Sequence, residues 1–129
     1  MLIIREPQMR AMGLALFERW MTDHLRTHFP DQCSGLNDPQ LLEFVRLGTQ
    51  KARSYGFSDE AHCCRYIDLM TILGRDFDSD TELPWARDIL TDPAISTPGV
   101  RIEMLHEAAC EYLERLEGPA DETEAEDLP

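Results

Sequence analysis

The strongest candidate for a chemical site is a loop between residues 75 and 83 that carries four acids at alternate positions: Asp76, Asp78, Asp80 and Glu82. This alternation is typical of the start of a calcium-binding loop. The calcium template also needs a glycine at its sixth position and a glutamate at its twelfth, whereas counting from Asp76 places Thr81 and Arg87 there. The loop therefore does not match the calcium motif.

Two other interpretations of this loop remain open. The aspartates can solvate a turn and cap a helix that begins at Pro84, or the loop can contact another protein. Phe77 and Trp85 are large apolar residues set among the acids, and aromatic anchors with a charged rim are typical of protein interfaces. We expect Trp85 to be mostly buried. The predicted partner-binding residues are Asp76, Phe77, Asp78, Asp80 and Trp85.

Histidines and cysteines offer a second set of candidate ligands. Two pairs are spaced four residues apart, as helix neighbours are, namely His24 with His28 and His106 with Cys110, and His62 precedes Cys63. None of them has zinc-finger spacing or the glutamate of the HExxH motif. The four cysteines include no CxxC pair, which favours free thiols in a reducing cytoplasm. We therefore predict surface histidines, buried thiols, no metal site and no cofactor.

No catalytic motif stands out either. The sequence lacks the GxSxG nucleophile elbow, the glycine-rich phosphate loop and the Rossmann fingerprint. His106 and Cys110 lie on adjacent turns of one amphipathic helix, which is an unusual place for an active site. The prediction is that the chain is not an enzyme. A metal-dependent enzyme that uses the acidic loop or the His and Cys groups is the third hypothesis.

Residues that favour helix starts and helix ends predict the helices that position these side chains. Prolines suit the first turn of a helix and glycines suit the position after its end. The periodicity of apolar residues predicts four long helices and one short one: residues 8–27, 38–55, 59–73, 84–90 (short) and 98–117. The few residues between the second and third helices favour an αα-hairpin.

The predicted fold is therefore all-α, a single-domain helical bundle over residues 1–117. From Gly118 to Pro129 the sequence has five acids, no base and little to bury, so a disordered acidic tail is predicted there. The formal net charge of the 129 residues is −13, of which the tail carries five units. The remainder of the chain is still acidic.

Charge and hydropathy exclude several classes of partner. A net charge of −13 opposes binding to nucleic acid or to an anionic membrane surface, which would both repel it. No apolar run approaches the ~20 residues that span a bilayer. The first ten residues include Glu6 and lack a long apolar stretch, so no signal peptide is predicted. We expect a cytoplasmic protein.

Much of the sequence resembles a family of small type VI secretion accessory proteins, which accompany VgrG spike proteins and effector chaperones in Gram-negative bacteria. The resemblance covers roughly residues 2–116 and begins with IREPQM. Further matching residues are Gly48, Ala52, Tyr55, Gly56, Tyr66, Leu69, Met70, Gly74, Phe77, Asp78, Leu83, Pro84, Trp85, Ala86, Ile89 and Leu90. It supplies no functional residues that map onto this chain.

This resemblance implies a non-catalytic accessory role. The chain would act as a co-chaperone or adaptor that binds an effector chaperone or an effector toxin before it is loaded on the spike. The alternative is an immunity protein that neutralises a cognate toxin by charge complementarity. A homodimer that buries one helix face is compatible with either role.

Overall fold

The computed structural model describes the backbone of residues 6–127 and the side-chain surroundings of residues 13–117. Residues 6–127 contain helices, turns and loops but no strand, which confirms the all-α prediction. No helix in this described part is long and apolar enough to cross a membrane. The helices are α1 (Glu6–His28), α2 (Pro30–Cys33), α3 (Asp38–Ser54), α4 (Glu60–Leu73), α5 (Pro84–Thr91) and α6 (Pro98–Asp127).

Local signals explain where α3 and α4 begin and end. The Asn37 side chain accepts a hydrogen bond from the Gln40 amide at 2.9 Å, and the Gln40 side chain accepts one from the Asn37 amide at 3.0 Å. This reciprocal capping box starts α3. The Asp59 side chain caps α4 by accepting a hydrogen bond from the Ala61 amide. Gly56 and Gly74 follow the two helices with φ of 94° and 114°, a backbone region that favours glycine.

The short helix α2 was not predicted. The sequence indicated a loop after Pro30, because four residues are too few to show a helical period. Pro30 stands in the first turn of α2, where its lack of an amide hydrogen has no cost. The structure thus has six helices within residues 6–127 instead of five.

The last helix is also longer than predicted. Its backbone continues past Gly118 to Asp127, although the sequence indicated an end at that glycine. Gly118 and the following Pro119 both disfavour the interior of a helix, so the local sequence does not explain this continuation. Side chains from residue 118 onward lie outside the described part, and disorder of residues 118–129 stays a prediction.

The contacts divide the chain into two units, Met1–Arg75 and Asp76–Pro129. In the first unit α3 packs on α1 and α4, and the Arg46 guanidinium donates two hydrogen bonds to the Glu18 carboxylate, at 2.9 and 3.2 Å. In the second unit α5 packs on α6. That residues 1–117 form one domain stays a prediction.

The two helices α3 and α4 approach each other closely at Gly48. A β-carbon added there would lie 2.6 Å from Cγ1 of Ile67 and 3.0 Å from Sδ of Met70. Both distances are below ordinary van der Waals contact, and Cγ1 is too near the backbone of α4 to swing away freely. The approach of the two helices therefore requires glycine at this position.

We predict that Gly48→Ala lowers the free energy of unfolding by about 1–2 kcal/mol, because overpacking outweighs the better helix propensity of alanine. Urea denaturation followed by circular dichroism measures this change. The matched control is Gly13→Ala in α1, where an added β-carbon meets nothing within 4 Å. That variant should be equally stable or more stable, and a Gly48→Ala variant that gained stability would contradict the packing argument.

Candidate functional site

The predicted site residues in and beside the acidic loop differ in their exposure to solvent. Phe77 is only 1% exposed and Asp78 only 7%, whereas Asp76 and Asp80 are exposed and Trp85 is half-buried. The four loop residues do not form one open surface, because the aromatic ring is turned away from solvent. Phe77 therefore cannot be the exposed anchor of an interface in this conformation. Partner binding by the two exposed aspartates stays a prediction.

Hydrogen bonds show what the aspartates do inside the loop. The Asp80 carboxylate accepts from the Glu82 amide at 2.8 Å, and the Asp80 carbonyl accepts from the Leu83 amide at 3.0 Å. The Asp76 carbonyl accepts from the Ser79 amide at 3.0 Å. The loop is thus built from aspartate-initiated turns. The expectation that an aspartate caps α5 is wrong, because its N-cap is Leu83, which has no side-chain cap.

Trp85 packs against α6 within the second unit. Its ring lies 5.8 Å from that of Tyr112, with the planes tilted by 45°. Its indole Nε1 is buried without a hydrogen-bond partner. The side chain supports the fold beside the loop, as the sequence indicated, but half-burial means that truncating it should cost less than removing a fully buried tryptophan.

The exposed face of α6 combines apolar and acidic side chains. Val100 is 53% exposed and Met104 is 40% exposed, and Glu107 and Glu111 are exposed on the following turns. These residues recur at intervals of three or four, which places all four on one side of the helix. The two apolar residues occupy the beginning of this α6 face, and the two glutamates continue it. Interfaces between proteins commonly have such an apolar centre beside a charged rim.

The charge of the chain is concentrated in one unit. Residues 1–75 contain nine acids and nine bases, so their formal charge is zero. Residues 76–129 contain sixteen acids and only three bases, Arg87, Arg101 and Arg115. The entire net charge of −13 therefore belongs to the second unit. A charge confined in this way produces a directed field, whereas an evenly spread charge mainly keeps a protein soluble.

A second group of chemical interest lies in the first unit, between α1 and α4. Nε2 of His24 lies 3.0 Å from Oδ1 of Asp68, and Sγ of Cys64 lies 3.9 Å from the same His24 nitrogen. Cys64 Sγ also lies 4.0 Å from Oδ2 of Asp68. Burial, together with the charge of Asp68, raises the pKa of the Cys64 thiol to about 12. All three side chains are partly buried and offer atoms that bind transition metals.

The spacing of histidines and cysteines in the sequence indicated other pairs. The rings of His24 and His28 are 4.7 Å apart, and His106 Nε2 is 3.6 Å from Cys110 Sγ, so both predicted pairs do meet on their helices. The Cys63 thiol instead donates to the Phe57 carbonyl at 3.3 Å, and burial raises its pKa. Each of these predicted pairs supplies two ligand atoms at most.

The cluster of His24, Cys64 and Asp68 escaped the sequence prediction because its first member is 40 residues away from the second. One available signal was the spacing of Cys64 and Asp68, which places them on adjacent turns of one helix. The unequal charge of the two units could also have been counted from the sequence once a boundary was known.

Comparisons of the chain with protein-family models, curated proteins and solved structures found no match.

Proposed function

We propose that the chain is a non-catalytic accessory factor that binds another protein, resembling a type VI secretion co-chaperone. It would bind an effector chaperone or an effector in the cytoplasm before the spike is loaded. The observation that carries this proposal is the confinement of the whole net charge to the second unit. The partner would present a basic surface, which the acidic unit attracts over a distance of about 8 Å at physiological salt.

The exposed α6 face supports the same role. Glu107 has glutamates four residues away on both sides, Glu103 and Glu111, and no base three or four residues away. Like charges at this spacing destabilise a helix by about 0.2–0.5 kcal/mol per pair. The acids along this face would be complemented by a basic surface on a partner. The adjacent Val100 and Met104 supply apolar area for the same contact.

Co-purification tests the proposal directly. The chain would be co-expressed with each protein encoded by the neighbouring genes, and affinity capture would follow at low and at high salt. We expect a stable complex with an effector chaperone or an effector, and we expect that the complex weakens as salt rises. A chain that captures neither protein under any of these conditions contradicts the proposal.

The same charge complementarity also fits an immunity protein, which masks the basic cleft of a toxin. Protection of cells separates the two roles. An immunity protein alone rescues cells that express the toxin, whereas a co-chaperone changes the secretion of the effector and gives no protection. Rescue by this chain in the absence of any secretion defect would replace the co-chaperone role with the immunity role.

The double variant Glu107→Lys/Glu111→Lys should bind the captured partner more slowly. We predict that its association rate constant at low salt falls by at least about tenfold, because charges near an interface mainly change the rate at which the two proteins encounter each other. Surface plasmon resonance at several salt concentrations measures the effect. The difference from the unchanged chain should shrink as salt screens the charges.

The matched control is Asp23→Lys/Glu43→Lys. It alters the net charge by the same amount at two exposed positions of the neutral first unit. This control should associate almost as fast as the unchanged chain. An equal loss of rate in both double variants would show that only total charge matters and that the α6 face is not the contact surface.

A further inference from the structure

We infer that His24, Cys64 and Asp68 form a binding site for Zn²⁺ between α1 and α4 of the first unit. One imidazole nitrogen, one thiolate sulfur and one carboxylate oxygen are three ligand types that zinc accepts together. Cys64 and Asp68 are four residues apart on α4 and therefore share a helix face, while His24 reaches them from α1. The site is independent of the acidic second unit and of the proposed partner.

The distances fit a tetrahedral zinc ion. With Zn–S of about 2.3 Å and Zn–N and Zn–O of about 2.0–2.1 Å, tetrahedral angles place sulfur about 3.6 Å from the other two ligand atoms. The same geometry separates nitrogen from oxygen by about 3.4 Å. Nε2 of His24 lies 3.9 Å from the sulfur and 3.0 Å from Oδ1 of Asp68, and the sulfur lies 4.0 Å from Oδ2, the other oxygen of that carboxylate. One ligand atom from each of the three residues lies within 4.8 Å of the other two, so a small rearrangement of the side chains brings all three to one tetrahedral ion.

Neighbouring side chains already hold the imidazole of His24 in place. Trp20 stacks on its ring with centroids 4.9 Å apart and planes within 17° of parallel. His28, one turn further along α1, has its ring centroid 4.7 Å from that of His24 and packs against the same ring. Water can complete the coordination shell, as it does in zinc sites with three protein ligands.

The site also has a path for metal entry. Cys64 lines a surface groove of about 630 Å³ together with Leu16, Phe17, Trp20, Glu60, Ala61 and Arg65. The groove lets a hydrated ion reach the sulfur without unfolding of the unit. On binding, the thiol releases its proton to water and the thiolate forms the bond to zinc. A thiolate favours zinc over Mg²⁺ or Ca²⁺, which prefer ligand sets made only of oxygen.

Metal titration of the purified full chain, freed of any histidine tag, tests this site. We expect one equivalent of Zn²⁺ to bind and to raise the melting temperature. With Co²⁺ in place of Zn²⁺, we expect the near-ultraviolet charge-transfer band of a thiolate ligand. Failure of the unchanged chain to bind stoichiometric zinc would overturn the inference.

Variants assign the ligands. Cys64→Ser should lose the charge-transfer band and lower zinc affinity by about 100-fold or more, since even changes to groups that only hydrogen-bond to a zinc ligand cost about 10–100-fold. Cys110→Ser is the matched control, because Cys110 also has a histidine within 3.6 Å but lies on α6, in the second unit. The control should retain both band and affinity. Equal binding by the two variants would also overturn the inference.

A second pair of substitutions keeps the test decisive if Cys64→Ser fails to fold. Asp68→Asn and His24→Gln preserve size while they remove a charge or a ligand nitrogen. Each variant should keep the circular dichroism spectrum of the metal-free chain but lose the rise in melting temperature with zinc. Folded variants that still show the full rise would exclude these two residues as ligands.

Discussion

Replacing Phe77 with alanine should lower the free energy of unfolding by about 3–5 kcal/mol, which is the usual cost of removing a buried aromatic ring. The ring is 1% exposed, so its loss removes apolar burial and leaves a cavity. Chemical denaturation of the full chain, with the midpoint and slope both fitted, measures the change. Phe77 lies between two acids of the acidic loop. Without this stability measurement, a binding defect in the variant would be mistaken for the loss of a direct contact with the partner.

The matched control for Phe77 is Leu116→Ala, which removes a large apolar side chain from a position that is 63% exposed. It should change stability by less than about 0.5 kcal/mol. If Phe77→Ala had an equally small effect and abolished partner binding, the ring would be an interface anchor that leaves the interior when the partner arrives. The expected large loss of stability instead assigns it to the core.

Helix ends are the part of this fold that is most visible in the sequence. Asn37 with Gln40, the prolines at helix starts and the glycines at positive φ act through local hydrogen bonds and backbone sterics, so their effect needs no knowledge of distant residues. The ends that were missed have weak or conflicting local signals. Four residues are too short to show a helical period in α2, and the backbone of α6 continues through Gly118 and Pro119, two residues that disfavour helix.

The candidate sites were harder to predict because they depend on contacts between distant segments. The sequence placed Phe77 in a loop among acids, and the loop location alone favours exposure, yet the fold buries it. His24 meets Cys64 and Asp68 only because α1 packs against α4. Pairs four residues apart could be found, whereas a triad that joins two helices could not.

Arg101 is expected to have the second-largest effect on stability. Its guanidinium donates to the carbonyls of Ile89 and Leu90 at 2.7 and 3.0 Å and to that of Ile95 at 2.8 Å. The last carbonyls of a helix lack intrahelical partners, and α5 has no basic residue in its own last turn. Arg101 therefore supplies from α6 the positive charge and the donors that the end of α5 needs.

Arg101→Met should lower the free energy of unfolding by about 2–3 kcal/mol, because it keeps most of the apolar stem and removes three charge-assisted hydrogen bonds. Arg101→Lys should restore only part of this loss, since an ammonium group cannot reproduce the planar fork that reaches three carbonyls. Thermal and urea denaturation of the three chains give the ranking. Arg115→Met, at an exposed position of the same helix, should be nearly neutral.

The pattern of losses would separate the two contributions of Arg101. If charge near the end of α5 were the main effect, lysine would recover most of the stability and the recovery would weaken with added salt. If the hydrogen-bond geometry is the main effect, as the short distances to three separate carbonyls indicate, lysine stays close to methionine at every salt concentration. Full recovery by lysine would contradict the hydrogen-bonding role argued for the guanidinium.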